Sequence, residues 1–150
     1  MVVGRRTNVL LGNNTHLLLY QPEHVTKVAK KYGRLFRTDA EDYFLVAFND
    51  FPWNRVPDIV IGRPGYDNFL VGRAIQENVT VVDATATLLA LHQTGSDGNS
   101  AGGRNTDGNF NKIRIGRFNY YSGLTSKAQC ETSFIVDEIC NRTRVIVKSR

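Results

Sequence analysis

Few side chains in this chain stand at spacings that would let them do chemistry together. Asp107, Asn109 and Asn111 place oxygens at alternate positions, as the start of a calcium loop does. Such a loop needs glycine at its sixth position and glutamate at its twelfth. Lys112 and Phe118 stand there, so the loop fails at both. His16, His24 and His92 lie far apart and have no zinc spacing. Cys130 and Cys140 are ten positions apart and read either as a loop-closing disulfide or as two buried thiols. No Gly-x-Gly-x-x-Gly and no glycine-rich loop ending in Gly-Lys-Ser or Gly-Lys-Thr is present. Asp67 is the carboxylate with the most informative setting. It follows Pro64-Gly65-Tyr66 where an apolar periodic segment begins, which is the first turn of a helix. Backbone N–H groups there hold a carboxylate ionised near neutral pH, and capping alone explains its presence as readily as catalysis does.

The elements around these residues alternate. Pro22 suits the first position of a helix over 22–34. Val25, Val28, Ala29 and Tyr32 make its apolar stripe; Lys27, Lys30, Lys31 and Arg34 make a basic one, and Gly33 ends the helix. Strand composition follows at 43–48, apolar throughout as if covered on both faces, and at 58–62. A second helix follows Pro64-Gly65 with Tyr66, Phe69, Leu70 and Ala74 inward, and further strands read at 79–83 and 88–91. The stretch from Gly95 to Gly108 is a polar, glycine-rich surface loop. Ile113, Ile115, 134–136 and 145–147 read as short strands. The expected organisation is one α/β domain: residues 1–94 layered, 95–111 a flexible loop, 112–150 a mixed tail. The opening Met1-Val2-Val3-Gly4 is strand-like from its first residue, which leads us to expect sequence upstream.

Composition narrows the classes. The chain has 150 residues, 41% of them hydrophobic, enough for a core. Nineteen Lys and Arg against fourteen Asp and Glu give +5, which favours anionic partners. No apolar run approaches the ~20 residues of a membrane helix, and the N-terminus lacks the order of a secretion signal. Asn-x-Thr triplets at Asn13, Asn78 and Asn141 argue weakly for a secretory lumen; a cytoplasmic location is the default without one.

One constellation carries a resemblance. Ile61-Gly62-Arg63-Pro64-Gly65-Tyr66-Asp67-Asn68-Phe69-Leu70 is followed by Val79-Thr80-Val81-Val82-Asp83-Ala84-Thr85 and then Leu91-His92-Gln93. This order resembles the C-terminal, acceptor-side half of a family 2-like glycosyltransferase of the GT-A, nucleotide-diphospho-sugar transferase, fold. Val3-Gly4-Arg5-Arg6 and Asp42-Tyr43-Phe44 extend the likeness over roughly residues 1–103. The resemblance implies a partial GT-A-like mixed sheet flanked by helices. It also implies transfer of a sugar from a nucleotide-sugar to a glycan or other hydroxyl acceptor. Asp67 would be the base and His92 a ligand of a divalent metal, Mn or Mg. Arg63, Tyr66, Asn68 and Trp53 would bind substrate, Arg63 and Arg73 meeting either a diphosphate or Asp67 itself. The sequence lacks the donor-binding half and its Asp-x-Asp motif, Asp39-Ala40-Glu41 being the nearest spelling. The expectation is therefore an acceptor half that is incomplete or inactive alone. Two other readings stay open. One is a basic module that binds nucleic acid or another polyanion through Lys27–Arg34 and the Arg114, Arg117, Phe118, Tyr120, Tyr121 cluster. The other is a decayed fold without activity.

Overall fold

A computed structural model describes residues 1–10, 20–93, 107–136 and 141–148. They form two mixed sheets flanked by helices. Strand β1 (Val2–Gly4) and β2 (Arg6–Val9) are separated by Arg5 alone, yet they belong to different sheets. β1 lies between β4 (Tyr43–Leu45) and β5 (Val82–Asp83), antiparallel to the first and parallel to the second. β5 continues in parallel to β7 (Cys130–Val136), which turns back on β8 (Asn141–Val147). β2 lies between the antiparallel β3 (Gly33–Leu35) and the parallel β6 (Ala90–Gln93). The N-terminal segment thus supplies an internal strand to each sheet.

Helix α1 (Pro22–Tyr32) packs beside β2 and β3; of its expected stripe Val28 and Ala29 are buried, Val25 is half-buried and Tyr32 is exposed. Gly33 ends it, although not in the left-handed conformation expected of a terminal glycine. Its φ is −76°, and the next residues enter β3 directly. A Cβ there would lie 2.2 Å from the Ala29 carbonyl oxygen, so space selects the glycine. Helix α2 (Tyr66–Gln76) supplies Phe69, Leu70, Val71 and Ala74 to a core with Val3, Phe51, Val81 and Ala128. Burying Phe69 or Leu70 contributes on the order of 2 kcal/mol each.

Three expectations change. The apolar run 43–48 is a strand only over Tyr43–Leu45; β4 is an edge strand, Leu45 is exposed, and Phe48 sits in a 3-10 turn. Residues 58–62 make no strand, because the Val60 peptide pairs with a side chain: Asn111 Oδ1 accepts the Val60 N–H and Nδ2 donates to the Val60 carbonyl. Ile113 and Ile115 belong to a short helix, α3 (Phe110–Ile115), turned so that Asn111 is fully buried and Ile113 faces water. β5, β6, β7 and β8 fall within or beside the segments expected at 79–83, 88–91, 134–136 and 145–147. The predicted polar loop lies outside the described residues except for 107–111, where a turn leads into α3.

Candidate functional site

The start of α2 is where polar chemistry concentrates. Gly65 precedes it at φ +88°, a left-handed turn that admits the chain into the helix. A Cβ on Gly65 would sit 2.6 Å from the Tyr120 ring. Asp67 therefore occupies the first turn, as the sequence indicates. Its Oδ1 accepts the Asn68 N–H at 2.9 Å and its Oδ2 accepts the Glu41 N–H at 3.3 Å. Burial raises its pKa above the ordinary carboxylate value, with a further push from Asp42, while those N–H groups pull it down. Desolvation is the larger effect and leaves the carboxylate more basic than an ordinary one. Asp67 remains only partly buried.

Glu41 was not singled out by sequence reasoning, and it is the most buried acid of the region at 4% exposure. Oε1 accepts the Thr125 hydroxyl at 2.8 Å and Oε2 accepts Asn68 Nδ2 at 3.1 Å. Burial pushes its carboxyl up to about 7; the Asp67 and Asp42 charges add to the rise and the Thr125 bond opposes it. Asn68 Nδ2 also donates to the Asp39 carbonyl at 3.2 Å. Its amide therefore ties α2 to the 39–41 segment. Arg37 donates to Asp39 and holds that carboxyl below its usual range. Arg6 clamps Asp42 through its peptide N–H at 3.1 Å and its guanidinium, which also lies over the Phe36 ring.

His92 is on β6, directly opposite Asn8 of β2. Neighbours in register share a sheet face, and Arg6 Nε donates to Asn8 Oδ1 at 2.9 Å. A connected path therefore runs from Asp67 through the Glu41-Asp42 segment, Arg6 and Asn8 to the strand beside His92. The described residues show no direct contact between Asp67 and His92. Among the described residues, the buried His92 Nδ1 has no hydrogen-bond partner. Among the described residues no group of three His, Cys, Asp or Glu converges to hold a metal ion. The acids near Asp67 are each engaged by protein donors, so these residues do not by themselves make a cation site.

The other residues expected to bind substrate are Arg63, Tyr66 and Trp53. No described hydrogen bond or ion pair engages the Arg63 guanidinium; its carbonyl accepts Asn111 Nδ2 at 3.1 Å. Tyr66 packs edge-on to Phe44 against the core. Trp53 is 41% exposed, stacks on Phe51 and donates from Nε1 to the Phe48 carbonyl. Arg73 pairs with Glu77 and lies over Phe69. In the tail cluster, Phe118 is spent against Phe69 and Tyr120, leaving Tyr121 as its exposed ring. Lys27, Lys30 and Lys31 are exposed on α1. Cys130 is a buried free thiol, and Cys140 and His16 lie outside the described residues. No described helix is long and apolar enough to cross a membrane. Comparison with protein-family models, with curated proteins and with solved structures finds no match to this chain.

Proposed function

We propose that this chain is the acceptor-side half of a GT-A-like glycosyltransferase in which Asp67 is the base. The observation that carries the reading is the Asp67 carboxylate, gripped by two peptide N–H groups and raised in basicity by burial, yet still partly open to solvent. In the transfer, the acceptor hydroxyl gives its proton to an Asp67 oxygen while its own oxygen bonds to the anomeric carbon. The bond from that carbon to the nucleotide diphosphate breaks and the electron pair leaves with the phosphate. Arg63 and Trp53 retain a binding role in this proposal, the first as a cation beside the diphosphate and the second as a stacking ring. His92 would be a ligand of a divalent Mn or Mg ion, whose chemistry there would be to supply positive charge for the diphosphate.

The test uses the isotopically labelled chain. Glycans and nucleotide-sugars are titrated in, and released nucleoside diphosphate is followed with Mn present. An acceptor glycan is expected to shift the amides of Asp67, Asn68 and Glu41. Any turnover should fall by about 100-fold or more in Asp67→Asn without loss of the fold. Shifts confined to α1, or turnover that survives Asp67→Asn, would defeat the reading. The exposed lysines of α1 favour a second reading, a polyanion-binding face, which predicts salt-dependent retention on nucleic acid.

A further inference from the structure

We infer that Glu41 is the positioning residue of Asp67: one short segment grips the start of α2 at two points, and ionisation of the Glu41 side chain loosens that grip. This rests on the reading of Asp67 as the base. The geometry is a clasp. The Glu41 peptide N–H donates to Asp67 Oδ2, and the Glu41 carboxyl holds the side chain of the very next residue, Asn68, from the other side. The same carboxyl takes the Thr125 hydroxyl, so the 39–42 segment, α2 and the turn at 125–127 meet at this group. The groups that face it are mostly anions. Asp67 comes from α2 and Asp42 from its own segment, while the 125–127 turn presents the Thr125 hydroxyl and its peptide group. Arg37 and Arg6 pair with Asp39 and Asp42.

While Glu41 is neutral, the clasp closes without charge repulsion. Once it ionises beside Asp67, two carboxylates share a poorly solvated space, and the cheaper outcome is for Glu41 to turn toward water. Asn68 then loses one of its two acceptors and the Asp67 oxygens lose a rigid neighbour. The burial-driven rise of Glu41 to about 7 places this change within the neutral range.

The test is a carboxyl-carbon and amide NMR titration of the whole chain between about pH 5.5 and 8.5. The Asn68 side-chain amide and the Asp67 and Asn68 peptide signals are expected to move with the midpoint of the Glu41 carboxyl carbon. Glu41→Gln should abolish that transition, and Asp67→Asn should move it to lower pH by removing a neighbouring negative charge. Asn68 signals that stay still while Glu41 titrates would overturn the inference, and this wild-type measurement needs no variant to fold. So would a transition that persists in Glu41→Gln, which would assign it to another group. The titration stands or falls without any turnover, so its failure is distinguishable from failure of the transferase reading.

Discussion

Gly123→Ala tests whether the site is positioned by backbone contact between α2 and the 3-10 turn at 120–123. A Cβ on Gly123 would sit 1.7 Å from the Asn68 carbonyl oxygen and 2.5 Å from its carbon. A normal carbon–oxygen contact needs more than 3 Å, so the turn must move away by roughly 1.5 Å. Neither side can relax through a rotamer, because both partners are main chain. Overpacking of this kind costs about 1–3 kcal/mol, and a rigid obstacle puts it at the upper end, about 3 kcal/mol. At about 2–4 °C per kcal/mol for a chain of this size, the Tm should fall by about 6–12 °C. Gly72→Ala is the internal comparison. Its Cβ would meet the Phe118 ring at 2.5 Å and the Ser122 hydroxyl at 2.9 Å, both of which are side chains. Helix propensity returns up to about 1 kcal/mol there, so the net loss should be nearer 1 kcal/mol. Urea and thermal unfolding followed by circular dichroism measure both. Gly123→Ala within about 0.5 kcal/mol of the parent, or less costly than Gly72→Ala, would refute the packing argument.

Stability should fall with rising pH through the Glu41 titration. The group binds its proton more tightly folded than unfolded, so its contribution is complete below 4.5 and is lost as pH rises through about 7. That displacement corresponds to about 3 kcal/mol, and Glu41→Gln should flatten the difference between urea midpoints at acid and alkaline pH. Asn111→Asp should cost about 3 kcal/mol or more at neutral pH, because the Val60 and Arg63 carbonyls would lose their donor and face a carboxylate. Acid should recover part of the loss by supplying one O–H donor; a loss independent of pH would count against this account. Reversing Lys27, Lys30 and Lys31 to Glu should leave stability within about 0.5 kcal/mol while abolishing any salt-dependent retention on nucleic acid. Retention that survives would remove α1 from consideration as a binding face.

Legibility differed from element to element for physical reasons. The helix stripes of α1 and α2 could be read because a 3.6-residue period survives any packing arrangement. The place of Asp67 could be read because Pro64-Gly65 marks a helix start by local backbone preference alone. The apolar run after Tyr43 misled, since apolar composition cannot distinguish a covered central strand from an edge that turns outward at Phe48. Glu41 stood in plain view in an acidic triplet, but its burial against Thr125, 84 residues away, has no local signature. The same holds for Asn111, whose amide does the work of a strand neighbour for Val60.

By itself the sequence determined the α/β class, the two main helices and the placing of a carboxylate at the start of the second. Those features follow from periodicity and from backbone preferences that act over a few residues. Tertiary structure alone decided that β1 and β2 are internal strands of two different sheets. It also decided that α2 meets the 120–123 turn through bare backbone, and that burial, more than the helix end, governs Asp67. Desolvation, strand order and steric contact depend on residues distant in the chain, and no local pattern encodes them.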